Sequence, residues 1–358
     1  MSHQSQARPR RIVLLTEGHS EPVAGKTASC LLRYCSDEVV ALLDSTAAGR
    51  TAGELFGVGA GIPVVASLAD APSATELVIG IAPSGGRVPP GWKPVLFDAI
   101  RRGMRIVSGL HEFLSDDPEL AAAAAAAGAE LVDVRKNDER DVASRQGLRE
   151  DRLRLLTIGQ DCSVGKMLAA AELTRALVAK GHDAAFLATG QTGIMIAGDG
   201  CPIDRVISDF VNGAVEKLVK RKQDHEILVI EGQASITHPR YSGVSLGLLH
   251  GAAPHGMILV YEVGRSHHMG MPHEPLPALE RVVAAYEQMA SFVGGGRVIG
   301  VAMNTRLVSP AEAAAERKRV AEALGIPACD PIRDGCEDLV AAVETLQAAR
   351  RAGAEVPA

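Results

Sequence analysis

Aromatic side chains are scarce in this sequence: one Trp, four Tyr and six Phe make up 3% of 358 residues. A core built without large rings must rely on aliphatic and small residues, and the abundance of Ala and Gly suits closely packed α/β layers. Also missing is any C-x-x-C pair. The six cysteines, Cys30, Cys35, Cys162, Cys201, Cys329 and Cys336, show no thiolate metal spacing, so a reduced cytoplasmic protein is expected. No positive excess exists either. The net charge is −6, and without a basic field nucleic acid is not an expected partner. Long hydrophobic runs are absent as well. The polar, basic stretch Met1 to Arg11 precedes only Ile12–Leu15, too short for a signal-peptide core or a membrane span. Ala121 to Ala127 is also short and follows Asp116-Asp117-Pro118-Glu119, a helix-start signal. No membrane partner is expected.

What is present is 47% hydrophobic residues on a chain long enough for two domains. Between residues 11 and 135 short apolar runs alternate with helical patterns. Ile12–Leu15, Val39–Leu43, Leu77–Ile81, Ile106–Val107 and Leu131–Val134 read as buried strands. Such alternation predicts a parallel sheet covered by helices on both faces. Lys136 to Arg154 is highly charged and lacks apolar periodicity, which marks it as a linker. Domains are therefore expected at 10–137 and 152–348. In the second, strands are expected at Leu153–Ile158, Ala184–Ala188, Ile227–Ile230, Met257–Tyr261 and Val298–Met303. Helices are expected at Lys166–Lys180, Ile203–Arg221, Leu276–Phe292 and Pro310–Leu324.

The most pointed motif is Gly159-Gln160-Asp161-Cys162-Ser163-Val164-Gly165-Lys166-Met167, which lies between the first of these strands and the first of these helices. Strand, glycine-bounded loop, Gly-Lys and helix is the layout of a phosphate-binding loop. There backbone N–H groups and a helix N-terminus face an anion and the lysine adds a point charge. A phosphorylated small molecule is the expected ligand. Five residues separate Gly159 from Gly165, where the commonest phosphate loop has four. Met167 stands where a Ser or Thr would hold Mg²⁺ in a nucleotide hydrolase, so the loop is suited to bind phosphate without γ-phosphoryl transfer. No metal is expected.

Two clusters follow strand ends and should fall beside this loop, because open parallel sheets bind ligands beyond the carboxyl ends of their strands. They are Thr189-Gly190-Gln191-Thr192-Gly193 and Glu231-Gly232-Gln233-Ala234-Ser235. Glu231 is the sharper signal, since an acid at a buried strand end needs a partner. Asp209, four residues after Arg205, reads either as a surface ion pair or as a base pointing into the site. His238, His250, His255, His267, His268 and His273 cluster in sequence but match no zinc spacing. They could serve catalysis, substrate contact or packing. Asn304, at the end of a strand, is either an adenine reader or a turn residue. Gly18 with Gly25-Lys26-Thr27, and Ala82-Pro83-Ser84-Gly85-Gly86, are weaker anion-turn signals.

Together, Gly25-Lys26-Thr27-Ala28 with Leu31-Leu32-Arg33-Tyr34, the Gly159–Lys166 loop, Thr189 to Met195, Asp209-Phe210, Glu231-Gly232-Gln233, Asn304-Thr305 and Asp330-Pro331 resemble the D-glutamate N-acetyltransferase family, once filed as a domain of unknown function. The resemblance runs from about residue 10 to about residue 345. It implies an α/β chain with a Rossmann-like N-terminal domain and a C-terminal domain like P-loop NTPases of the dethiobiotin synthetase type. It also implies acetyl-CoA as donor and an acidic amino acid, D-glutamate, as the small-molecule acceptor in D-amino-acid catabolism. A homo-oligomer is expected. By the same resemblance the loop residues 159–167, Asn304 and Pro331 would contact the donor. Coenzyme A carries a pyrophosphate and a 3′-phosphate, so the missing metal hydroxyl is no handicap. An amine attacking a thioester needs a base, for which Glu231, Asp209 and His238 are candidates. The oxyanion needs donors, from loop N–H groups or Gln233. Arg265 and Arg240 would hold substrate carboxylates, with Gln191, Thr192 and Ser235 beside them. The alternatives are an ATP- and Mg²⁺-dependent ligase or small-molecule kinase, or a nucleotide sensor without catalysis.

Overall fold

A computed structural model describes residues 10–83 and 85–353, so Ser84 of the 82–86 turn lies outside the described residues. The chain divides into two compact units, with the division between Lys136 and Asn137.

The first unit carries strands β1 (Ile12–Leu15), β2 (Val39–Leu43), β3 (Val64–Val65), β4 (Glu76–Ile79), β5 (Arg105–Ser108) and β6 (Leu131–Asp133). Its helices are α1 (Lys26–Tyr34), α2 (Ala52–Phe56), α3 (Lys93–Arg101) and α4 (Pro118–Ala127). These strands all pair in parallel, in the order β3-β2-β1-β4-β5-β6. That is the strand order of dinucleotide-binding sheets. The two-residue β3 was not legible as a strand because its run is too short to show a period.

The second unit carries β7 (Leu153–Gly159), α5 (Lys166–Ala179), β8 (Ala184–Leu187), α6 (Gln191–Ala197), α7 (Val211–Lys222), β9 (Ile227–Ile230), α8 (Ser242–Ala252) and β10 (Gly256–Glu262). Then come β11 (His267–His268), β12 (Met271–Pro275), α9 (Leu279–Ala290), β13 (Arg297–Asn304), α10 (Pro310–Leu324), β14 (Ala328–Cys329) and α11 (Glu337–Arg351). The parallel order is β14-β13-β10-β7-β9-β8, and β11 and β12 form a separate antiparallel hairpin. Strand β7 is central, so successive connections leave it on opposite sides. Its carboxyl end is a topological switch point, where such sheets open a crevice.

Alternation along the strands explains why these runs are apolar throughout. Leu156, Ile158, Leu228, Ile230, Leu259 and Tyr261 join one core, while Leu155, Val229, Ile258 and Val260 join the core on the other face. Helix α10 shows the local signals that fix its ends. Ser309 and Glu312 form a capping box, and Gly325 in the left-handed region stops it.

The glycine-rich α8 escapes a propensity reading. Its glycines permit close packing on α7. A Cβ on Gly247 would lie 2.6 Å from Val211 Cγ1, and one on Gly251 would meet the Asn212 carbonyl. Segment 203–221, expected as one helix, is two single turns, Ile203–Arg205 and Ser208–Phe210, followed by α7. The β-branched pair Val206-Ile207 between the turns is extended, with ψ of 139° and 136°. Arg205 and Asp209 therefore share no helix face. The charged segment read as a linker lies against the second unit. The carboxylate of Glu216 accepts from the Ser144 and Arg145 N–H groups at 3.1 and 2.9 Å.

Candidate active site

The loop after β7 closes on its own lysine. Lys166 starts α5, and its Nζ turns back to donate to the Asp161 carbonyl at 2.7 Å. Gly159 is required by that path, because a Cβ there would lie 2.7 Å from Nζ and 2.9 Å from the same carbonyl. Gly165 takes φ +112°, while exposed Ser163 takes φ +54°. Val164 anchors the loop in the core. Burial pulls the Lys166 ammonium down to about 8, against the opposing pull of Cys162, Asp161 and Glu231. Met167, next in line, offers no hydroxyl.

Neighbouring groups brace this loop. Gln160 Nε2 donates to the Pro277 carbonyl at 2.9 Å, and Asn304 Nδ2 donates to the Val164 carbonyl at 3.2 Å. Asn304 is thus part of the loop's scaffold. Pro331 sits in the turn capped by Asp330, which accepts from the Thr305 and Ile332 N–H groups.

The hub is the Asp161 carboxylate, fully buried. Its Oδ2 accepts from Arg265 Nη1 at 2.9 Å and from the Met269 N–H at 2.8 Å. Its Oδ1 faces His268 Nδ1 at 3.1 Å and His238 Nε2 at 3.5 Å. Burial alone would raise this carboxyl, but His268, the Cys162 and Met269 amides and Arg265 outweigh it and hold the group below its usual range. Arg265 also donates to the Cys162 carbonyl at 2.7 Å and to Glu262 Oε2 at 2.7 Å. Its guanidinium is therefore committed to clamping the loop. Exposed Arg240 differs. Among the described residues no carboxylate pairs with it, and its Nη1 would stand 3.3 Å from a Cβ on Gly270, in the β11–β12 turn.

Asp161, His238 and His268 present ligand atoms within 4.8 Å of one another, close enough to consider a metal ion. The proton inventory opposes it. His238 Nδ1 accepts from the Arg240 N–H at 3.1 Å, so the neutral ring carries its proton on Nε2 and offers no second lone pair there. Arg265 already supplies positive charge to the same carboxylate.

The second cluster is a carboxylate cradle. Glu231, directly after β9, is 4% exposed. Its Oε2 accepts from the Thr189 and Gly190 N–H groups at 3.0 and 3.1 Å, and its Oε1 from Gln233 Nε2 at 3.2 Å. A Cβ on Gly190 would lie 2.9 Å from Oε1, and one on Gly193 would meet Oε2. The spacing of Thr189-Gly190-Gln191-Thr192-Gly193 thus makes room for this carboxylate. Burial raises the Glu231 carboxyl to about 7, moderated by those donors and Lys166. Gln233 Nε2 also donates to Thr189 Oγ1 at 3.1 Å, so its amide is turned inward. The loops after β7 and β9 interlock. Gly232 donates to Thr157 Oγ1 at 2.9 Å, and a Cβ on it would overlap the Thr157 carbonyl.

The expected residues are therefore distributed unevenly. Loop 159–166, Glu231, Gln233, His238 and Arg265 converge around Asp161 and Lys166. Gln191 and Thr192 open α6, joined by a 2.6 Å hydrogen bond. Ser235 is buried and bonds Thr237 Oγ1 at 2.9 Å, as part of the loop's frame. Asp209 is exposed on its single turn. The residue missed as a site member is His268. The His267-His268 pair is visible in the sequence, but only the hairpin shows which ring turns toward Asp161.

Two family descriptions match this chain: a domain of unknown function, DUF1611_N Rossmann-like domain, over residues 45–137, and DUF1611_C P-loop domain over residues 141–340. A D-glutamate N-acetyltransferase from Tritonibacter scottomollicae is 41% identical over 277 residues, covering 77% of this chain and 83% of the relative. Another from Pseudoalteromonas sp is 38% identical over 269 residues, covering 75% and 81%. The crystal structure of a DUF1611 family protein from Anabaena variabilis superposes with a TM-score of 0.88 at 37% identity, covering 94% of this chain and 99% of that one.

Proposed function

Since this chain belongs to the DUF1611 family, with its Rossmann-like and P-loop domains, we propose that it is an N-acetyltransferase that moves the acetyl group of acetyl-CoA to the amine of D-glutamate in D-amino-acid catabolism. The observation that carries the donor assignment is a lysine-closed phosphate loop followed by Met167. Such a loop can grip phosphates through N–H groups, the α5 N-terminus and Lys166. It has no hydroxyl at the metal position to support transfer of one. An acyl carrier that keeps its phosphates fits that division of labour.

The acceptor must be held by its carboxylates and attack as a neutral amine. Arg240, exposed beside the β11–β12 turn and unpaired with any described carboxylate, is the cation available to an acidic acceptor. Arg265 acts differently, fixing Asp161 and the loop. The developing oxyanion draws its donors from loop N–H groups, because the Gln233 amide is already directed to Glu231 and Thr189. Cys162 and Asp161, and after them Glu231, favour the charged form of Lys166 against its burial.

Titration calorimetry with CoA, acetyl-CoA and ATP, with and without Mg²⁺, combined with thiol release on a panel of D- and L-amino acids, tests this reading. CoA should bind without Mg²⁺, and D-glutamate should release thiol from acetyl-CoA. Mg²⁺-dependent ATP binding with no CoA binding would overturn it in favour of a ligase or kinase. Binding without turnover of any amino acid would make the protein a sensor.

A further inference from the structure

The acyl-transfer reading leaves open which group accepts the amine's proton, and the hydrogen bonds around Asp161 answer it. A carboxylate only accepts, so His268 must donate to Oδ1 through Nδ1–H at 3.1 Å. In the neutral ring the lone pair then sits on Nε2. No described residue bonds that nitrogen, and unlike His238 Nε2 it is not sealed in the interior without a partner.

The other candidates fare worse on the same test. His238 has no exposed surface, already carries its proton on Nε2, and faces Asp161 with it. The Glu231 carboxylate is enclosed by three donors. Asp209 stands exposed on its own turn. His268 is held on three sides. Asp161 fixes Nδ1, His238 packs edge-on with ring centroids 4.8 Å apart, and the adjacent Met269 N–H is pinned to Asp161 Oδ2.

We propose that His268 is the general base of the acetyl transfer and that Asp161 is the residue that positions it. Asp161 is also part of the phosphate loop, so the group that sets the donor's grip sets the base as well. This rests on the acyl-transfer reading. The acceptor enters as a free amine, having lost one proton to solvent. Its nitrogen lone pair forms the N–C bond as the carbonyl π pair moves to oxygen. His268 Nε2 takes a proton from that nitrogen. The oxyanion then collapses, the C–S bond breaks, and the thiolate takes the proton from the imidazolium to leave as the thiol. Atoms and charge balance without a metal or redox partner. The charged and titratable groups facing His268 are Asp161 and His238, with Arg265 and Arg240 just beyond.

The test uses the full chain with acetyl-CoA and D-glutamate. His268→Gln should lower kcat by about 10²- to 10⁴-fold, with KM for acetyl-CoA within about threefold and unchanged melting. His268→Ala should regain turnover on addition of imidazole, a readout that a purely structural role would not give. Asp161→Asn should lower kcat by about 10- to 10³-fold, because an amide can favour the wrong tautomer. Full turnover in His268→Gln, or a loss confined to KM, overturns the base assignment while leaving acyl transfer intact. Absence of turnover in the wild-type protein on the whole amino-acid panel overturns acyl transfer itself, and the base with it.

Discussion

Both units place an acidic residue just past a strand of a parallel sheet, and the two acids live in opposite circumstances. Asp44 follows β2 in the first unit. Its Oδ1 accepts from the Thr46 N–H at 3.0 Å and Thr46 Oγ1 at 2.7 Å, and its Oδ2 accepts from Ser20 Oγ at 2.5 Å. Burial pushes its carboxyl up, but Ser20, Thr46 and Gly18 outweigh burial and hold it low. Glu231 follows β9 in the second unit, and there burial wins. The contrast teaches that a strand-end acid is not by itself a site. Asp44 caps a local turn, with donors from Thr46 two residues on and from Ser20 24 residues back. Glu231 has to borrow donors from a loop 42 residues away and shares its field with a buried lysine. Where burial outweighs the donors that other loops supply, as at Glu231 but not at Asp161, the group is poised to titrate in the working range.

The two units differ most at the glycines where the loops of each sheet meet. Gly232→Ala would drive a Cβ into the Thr157 carbonyl, backbone that cannot step aside. We expect a loss of more than about 4 kcal/mol or failure to accumulate as folded protein. In the first unit, Gly80→Ala meets Thr16 Cγ2 at 2.8 Å and Ala28 Cβ at 2.9 Å. Of these only the Thr16 methyl can turn aside, while Ala28 Cβ and the Leu15 carbonyl at 3.1 Å move with the backbone, but none overlaps as deeply as at Gly232, so the loss should be about 1–3 kcal/mol. Denaturant unfolding of both variants decides it, and equal losses would contradict the packing argument.

Next is the pH response of Glu231. Its folded pKa is raised to about 7, so the stability it contributes is fully present below its unfolded value and is lost as pH rises through 7. Glu231→Gln should remove roughly 2–3 kcal/mol of that decline between pH 5 and 8, seen as a flatter melting-temperature profile. An unchanged profile would mean that the carboxylate is not the group responsible. Asp44→Asn sharpens the contrast with the smallest effect. Its carboxyl is lowered, so its contribution is present above the unfolded pKa and is lost only in acid. The variant should cost about 1 kcal/mol at neutral pH, leave thiol release unaltered, and lessen the acid sensitivity of the first unit.

Much of this was legible in the chain because it depends on local pattern. The strands β1, β2 and β9 and the helix α10 follow from short apolar runs and capping residues. The phosphate loop follows from glycines at fixed spacing before a Gly-Lys pair. Elements whose residues answer to a neighbour were hidden. Helix α8 looks too rich in glycine until α7 lies against it, and 203–221 looks helical until Val206-Ile207 extends. Among the candidate site residues, Glu231 stood out as an acid at a buried strand end. The choice among six histidines could not be made from spacing.

The two α/β units, the phosphate loop and the lack of a metal hydroxyl at Met167 are written in the order of the residues. Each of these is a property of residues near one another along the chain. That Asp161 gathers Arg265, His268 and the Met269 N–H, more than 100 residues away, emerges from the folded chain alone. So does the caging of Glu231 by the loop after β8. The reason is that burial and hydrogen-bond geometry set a titratable group's behaviour, and both are supplied by whichever distant loops the sheet's crossover connections bring to the same edge.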